Sequence, residues 1–164
     1  ENVKVLDGGY STWLEAGYPV STESLEKPRS PGKALTLLSE TRDLVDMEYV
    51  RKNLNNPDIV LIDARASDRF RGENETLDPK AGHIPGAINK PFAENLDGKK
   101  FRSPEELKER FADIPKDKEI IVYCGSGVSA NHNLIALGEA GIKGAKLYAG
   151  SWSDWSSYEE NPIE

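Results

Sequence analysis

Cys124 is the only cysteine in the chain and stands directly after Glu119-Ile120-Ile121-Val122-Tyr123, an apolar run rich in branched residues that predicts a buried strand. It is followed by Gly125-Ser126-Gly127 and then by a helical pattern over 131–140. The carboxyl end of a central strand, just before a helix, is where open α/β sheets place their ligands. Glycine tolerates positive φ, so a loop carrying Gly125 and Gly127 can turn its backbone N–H groups inward. Those donors, with the amino end of the following helix, favour thiolate over thiol and would hold a bound anion equally well. The chemistry this predicts is that of a sulfur nucleophile. The structural alternative is a small buried hydrophobe beside an ordinary tight turn.

Rival chemistries need residues the chain lacks. A phosphatase loop requires an arginine six residues past the cysteine to clamp phosphate oxygens, and that position is Ala130, which disfavours phosphate-ester hydrolysis. A cysteine protease requires a histidine base, for which His83 and His132 are the candidates. His132, on the helix after the loop, is expected to face solvent. His83, in Gly82-His83-Ile84-Pro85-Gly86, is expected to hydrogen-bond backbone in a turn. A glycine-rich Lys-Ser or Lys-Thr loop is absent, so nucleotide phosphate binding is not indicated. Two histidines and one thiol at unrelated positions give no zinc-ligand spacing, and no metal is expected.

The elements that would position Cys124 can be read from periodicity and caps. Ile59-Val60-Leu61-Ile62 predicts a second central strand, ending at Asp63. Asp46 suits the N-cap of a helix with Met47, Val50 and Leu54 on one stripe. Ser103-Pro104-Glu105-Glu106 is a capping box with proline at the first helical position, and Leu107 and Phe111 continue that helix. The helix over 131–140 carries Leu134, Ile135 and Leu137 as its apolar side, with Gly141 at the stop. Strands alternating with helices predict an α/β fold, a doubly wound parallel sheet with helices on both faces.

A length of 164 residues suits one domain and an appendage, and 37% hydrophobic with 30% charged residues supports a packed core. The net charge of −7 repels phosphate backbones and anionic membranes, so neither nucleic acid nor membrane is an expected partner. A small anionic substrate would need a local positive site. A lone cysteine cannot form an internal disulfide and predicts a reducing, cytoplasmic setting. No apolar run is long enough to span a bilayer, and the first residues lack signal-peptide character. The chain begins with Glu1, as a fragment or a processed chain would.

The two ends of the chain also resemble each other. An offset of 142 positions places Val5 on Leu147, Gly8 on Gly150, Tyr10 on Trp152, Ser11 on Ser153 and Trp13 on Trp155. One further residue of gap sets Pro19-Val20 on Pro162-Ile163. Both copies read as a short strand, a glycine turn and an aromatic helix, as a duplicated domain would produce. Residues 21–33 are polar and proline-containing and read as a linker; the apolar stretch 34–38 follows.

Taken together, Asp63-Ala64-Arg65, Gly82-His83-Ile84-Pro85-Gly86-Ala87, Cys124-Gly125-Ser126-Gly127-Val128-Ser129-Ala130 and Gly150-Ser151-Trp152 resemble the rhodanese-type sulfurtransferases in order and spacing, over residues 35–162. The resemblance implies a rhodanese-like fold and a ping-pong reaction without metal or organic cofactor. In that reaction the Cys124 thiolate takes sulfur from thiosulfate or 3-mercaptopyruvate as a persulfide and passes it to cyanide or a thiol. It further implies that Gly125, Ser126, Gly127, Val128 and Ser129 form the active-site loop. Arg69, in Asp68-Arg69-Phe70-Arg71-Gly72, matches the family arginine that grips the anionic end of the donor. Ser126 matches the serine of mercaptopyruvate enzymes thought to help protonate the departing enolate. Those enzymes have a second arginine before the Gly-His-Ile-Pro-Gly turn, whereas residues 73–81 here carry only Lys80. Arg65 is expected to pair with Asp63 or a nearby carboxylate as loop support, and Trp152 and Trp155 to lie in the core. Two-domain members of the family carry an inactive first domain, so residues 1–20 are expected to be the remnant of such a domain, itself a missing partner, and 34–164 the catalytic one. The alternatives are a non-catalytic binding or redox-sensing module, and a cysteine phosphatase or arsenate-type reductase. The last would also need a resolving cysteine.

Overall fold

The two branched runs lie side by side as parallel strands in continuous register, from Ile59 opposite Glu119 to Asp63 opposite Tyr123. The computed structural model describes residues 4–23 and 43–164, which fall into two compact units divided after residue 41. The smaller unit carries helix α1 (Gly9–Glu15). The larger carries strands β1 (Leu44–Val45), β2 (Ile59–Asp63), β3 (Ile88–Asn89), β4 (Leu96–Asp97), β5 (Lys100–Phe101), β6 (Glu119–Tyr123) and β7 (Lys146–Tyr148). Its helices are α2 (Met47–Lys52), α3 (Ser67–Phe70), α4 (Pro104–Arg110), α5 (Ala130–Glu139) and α6 (Ser151–Trp155), with a 3-10 turn at Phe92–Asn95.

Five strands form one parallel sheet in the order β1-β7-β6-β2-β3, and β4 and β5 make a separate antiparallel pair. Successive residues of a strand point to opposite faces, and the central strands bury both. Ile62, Ala64, Ile120, Val122 and Cys124 pack with Leu107, Phe111, Ala136 and Leu137 of the α4–α5 layer. Leu61, Ile121, Tyr123 and Tyr148 of the sheet pack with Val50, Trp152 and Trp155 of the α2–α6 layer. Helices therefore cover both faces. A fully buried side chain such as Ile62 or Ile121 contributes about 2 kcal/mol through that burial.

Local chemistry starts the helices where the residues predict. Asp46 accepts the Tyr49 amide at 2.8 Å. Ser103 and Glu106 complete the reciprocal capping box ahead of Pro104. Helix α5 differs from its predicted stripe: Ala130, Asn133, Ala136 and Leu137 are buried, while Leu134 and Ile135 are only half-buried. Asn133 goes inside because its amide donates to the Lys90 carbonyl at 2.8 Å and its oxygen accepts from Asn95 at 2.6 Å.

In the smaller unit, residues 4–6 form no strand and pair with no ladder, contrary to the strand–turn–helix expectation. The turn and helix repeat only in part, since Gly8 is left-handed at φ +84 where Gly150 is right-handed at φ −61. Gly9 has φ +61 where Ser151 has φ +57. A Cβ on Gly8 would run into the Thr12 side chain, and one on Gly150 into Asp154. The Trp13 indole donates to the Pro19 carbonyl at 3.1 Å, and the Trp155 indole to the Pro162 carbonyl at 2.9 Å. The linker beyond residue 23 and the apolar stretch 34–38 lie outside the described residues.

Candidate active site

The sheet reverses its winding between β6 and β2: β2 leads outward to β3, and β6 leads the other way to β7. Cys124 lies at the carboxyl end of β6, at this switch point. Its loop is stitched to the start of α6. The Trp152 and Ser153 amides donate to the carbonyls of Cys124 and Gly125 at 3.0 and 2.9 Å. The Cys124 amide donates to Ser151 Oγ at 3.1 Å. Gly127 has φ +79, and a Cβ there would collide with the Ala149 carbonyl oxygen, so both the turn and the close approach require glycine.

The sulfur faces the loop it opens. Burial pushes the Cys124 thiol up, but hydrogen bonds from the Ser129 hydroxyl and from the amides of Ala130, Ser126 and Gly127 outweigh it, and the thiol titrates below its ordinary value. A further hydroxyl, Ser151 Oγ, lies 4.0 Å from Sγ and donates to the Tyr148 carbonyl at 2.9 Å. Ser151 holds a left-handed backbone that a residue with a Cβ adopts only under local compulsion. Ala130, where a phosphatase would carry arginine, contributes its amide.

Beside the loop, two arginines are knitted together by carboxylates. Arg65 forks onto Asp63 at 2.7–3.2 Å, donates to Glu75 at 3.3 Å and to the Gly82 carbonyl at 2.7 Å, and lies 4.7 Å over the Trp152 ring. Burial lowers the Arg65 pKa, but its bonds to Asp63 and the charge of Glu75 hold it above the ordinary value. Arg69 donates to both Glu75 oxygens at 2.9–3.1 Å and to Asp78 at 3.1 Å. Its Nη1 lies 3.5 Å from where a Cβ on Gly125 would stand. Burial raises the Glu75 pKa, but the Leu77 amide, Arg69 and the Asp78 amide hold it below the ordinary carboxylate value. An open cleft of about 310 Å³ is lined by Arg69, Asp78, Gly125, Ser126, Val128 and Ser129.

The expected site residues lie close together: Asp63 holds Arg65, Arg65 and Arg69 share Glu75, Arg69 lines the cleft with Gly125, Ser126, Val128 and Ser129, and Ser126, Gly127 and Ser129 reach the sulfur. Val128 extends its side chain outward, 73% exposed, at the rim. Lys80 does not join the cleft; its ammonium donates to the Tyr158 carbonyl at 3.1 Å. His83 stacks on Phe70 and places Nδ1 2.8 Å from the Phe70 carbonyl. His132 is not solvent-facing as expected: it is half-buried against Phe92 and Phe101, with Nδ1 buried and without a partner among the described residues. Trp152 and Trp155 are fully buried. A smaller cavity of about 80 Å³ beside Val50, Ile59 and Pro85, at the amino end of β2, is lined by no ionisable side chain.

Ser151, Glu75 and Asp78 enter the site without a role having been read for them from the sequence. Segment 73–81, which lacks a second arginine, instead brings two acids onto Arg69. Among the described residues no cluster of His, Cys, Asp or Glu could hold a metal ion. No helix among them is long and apolar enough to cross a membrane.

Comparison with known proteins agrees with this geometry. Residues 46–158 match the family model of the rhodanese-like domain. The chain is 42% identical to a probable 3-mercaptopyruvate sulfurtransferase of Pseudomonas aeruginosa, over 99% of this chain and 58% of that protein. It is 36% identical to the thiosulfate sulfurtransferase of Rattus norvegicus, over 93% of this chain and 52% of that protein. It therefore spans somewhat over half the length of these relatives. Among solved structures it is similar to the anaerobic ergothioneine biosynthesis enzyme of Chlorobium limicola in complex with trimethyl histidine, with a TM-score of 0.88 and 27% identity, covering all of this chain and 41% of that one. A complex with ergothioneine covalently linked to a persulfide cysteine matches with the same score and coverage.

Proposed function

The chain belongs to the rhodanese-like domain family, and on that premise we propose that it is a sulfurtransferase that carries a sulfane sulfur on Cys124. One observation carries the reading: Sγ sits where the Ser129 hydroxyl and the amides of Ser126, Gly127 and Ala130 converge. The same donors that stabilise a thiolate stabilise a persulfide anion. The names of the relatives and the persulfide cysteine of a solved neighbour support it.

In this reading the Cys124 thiolate attacks the outer sulfur of the donor. With thiosulfate the donor's S–S bond breaks and sulfite leaves. With 3-mercaptopyruvate the C–S bond breaks and the enolate of pyruvate leaves, taking a proton; the presence of Ser126 in the cleft wall supports its hydroxyl as the donor. A cyanide or thiolate acceptor then attacks the outer sulfur of the persulfide, leaves as thiocyanate or a new persulfide, and returns Cys124 as thiolate. Arg69 offers Nη1 to the anionic end of the donor, while Asp63 and Arg65 support the loop. The chain's own residues supply every step, with no metal or organic cofactor invoked.

The matching backbones of Gly9 and Ser151 and the matching indole bonds of Trp13 and Trp155 support residues 1–20 as the close of a preceding domain of the same kind, the proposed partner of the catalytic unit. The lone thiol supports a reducing, cytoplasmic setting. The test is mass spectrometry of the protein after incubation with each donor. We expect a gain of one sulfur atom, lost on adding cyanide and not seen in Cys124→Ser. Unmodified protein with both donors would overturn the reading in favour of a binding module.

A further inference from the structure

Within this sulfurtransferase reading, on which the inference rests, we propose that Asp78 sets the charge of the donor, admitting a singly charged anion and opposing a dianion. The arginine beside the sulfur is not a free cation. Glu75 occupies Nε and shares Nη2 with Asp78, and Nη1 is left, without a hydrogen-bond partner among the described residues, against Gly125. Followed outward, the hydrogen-bonded network holds the guanidiniums of Arg65 and Arg69 against the carboxylates of Asp63, Glu75 and Asp78, one negative charge in excess. Lys80 does not correct the balance, because its ammonium is held at the Tyr158 carbonyl.

The Glu75 side chain is 2% exposed and bonded also to Arg65, whereas Asp78 belongs to the cleft wall itself. Its Oδ2 takes the Arg69 bond, and its Oδ1 has no partner among the described residues. An anion that reaches Nη1 therefore meets the Asp78 carboxylate in the same cleft. A carboxylate on a neutral keto-acid body brings one charge to the one open N–H donor and can turn its uncharged part toward Asp78. A compact dianion such as thiosulfate has no uncharged face to turn, and the second charge is opposed by Asp78 and by the thiolate.

Asp78→Asn separates the charge from the hydrogen bond, since the amide oxygen still accepts from Arg69. For thiosulfate we expect KM to fall about fivefold, the effect of removing one partly screened like charge, and for 3-mercaptopyruvate to fall by less than half that factor. Added salt should narrow the gap between donors in the native protein and leave it nearly constant in Asp78→Asn. An equal change for both donors, or a change in kcat alone, marks a structural role and overturns the proposal. Calorimetric titration of Cys124→Ser with thiosulfate and with pyruvate, repeated in Cys124→Ser/Asp78→Asn, reads the same selectivity without turnover. We expect tighter pyruvate binding in the first and a gain confined to thiosulfate in the second. Failure of either anion to bind, or no gain for thiosulfate, overturns the proposal. Failure of the native protein to take up sulfur while these titrations show the expected selectivity would instead overturn the sulfurtransferase reading.

Discussion

Ser151 Oγ accepts the amide hydrogen of Cys124 at 3.1 Å, across 27 positions of chain, from a residue whose own backbone is left-handed. Replacing it separates two effects. Ser151→Ala keeps the strain and orphans a buried amide, and is expected to cost about 2 kcal/mol in urea unfolding. Ser151→Gly relieves the backbone and should cost less. Both should slow sulfur loading, because both free the residue that opens the loop.

The Ser129 hydroxyl is the strongest of the groups that draw the Cys124 thiol below its ordinary value. A lowered pKa means that thiolate is lost only as pH falls through that lower value. Alkylation by the neutral reagent iodoacetamide should therefore show its half-point below the ordinary thiol value of about 8.5. In Ser129→Ala the half-point should move upward, so that reactivity declines already at higher pH. An unshifted profile would remove Ser129 from the sulfur.

Glu75 is buried between two arginines, and Glu75→Gln should destabilise the protein by about 3 kcal/mol near neutral pH, since both cations lose a charged partner. The sign of the pH effect follows from its depressed pKa. Its ionic contribution is complete above the ordinary carboxylate value of about 4.3 and fades as pH falls through the folded value. Unfolding curves of native protein and Glu75→Gln should converge in that acid window and run parallel above it.

Gly127 and Gly138 should respond in opposite directions to alanine. Gly127→Ala imposes a left-handed alanine and a collision with the Ala149 carbonyl, and is expected to cost at least about 2 kcal/mol and to abolish sulfur uptake. Gly138 lies within α5 with open space around its missing Cβ, so Gly138→Ala should stabilise by about 0.5–1 kcal/mol through helix propensity. Thermal unfolding of the two variants makes the comparison.

Much of this architecture is legible one residue at a time. Asp46, Ser103 and Glu106 announce their helices because a cap is a contact between near neighbours in sequence. The branched runs of β2 and β6 announce a sheet buried on both faces. The stripe of Leu134, Ile135 and Leu137 does not reveal that Asn133 turns inward, because its place inside depends on Asn95 and on the Lys90 carbonyl, which only the tertiary fold supplies. His132 was misread for the same reason, its neighbours Phe92 and Phe101 being remote in the chain. Within the site, the Cys124 loop could be foreseen from its glycines, whereas the hold of Glu75 and Asp78 on Arg69 could not. Nothing in the spacing of those acids announces that both close on one guanidinium, which the fold alone brings about.

The stitching of the Cys124 loop to α6 bears on synthesis at the ribosome. A nascent chain halted after Tyr148 has made its sulfur but not Ser151, Trp152 or Ser153, whose groups meet the peptide units of Cys124 and Gly125. Until those late residues are made, the peptide units of Cys124 and Gly125 lack the partners that pin the loop to α6, although Ser126, Gly127, Ser129 and Ala130 are already present. The sulfur's donors are thus made first and their anchorage last.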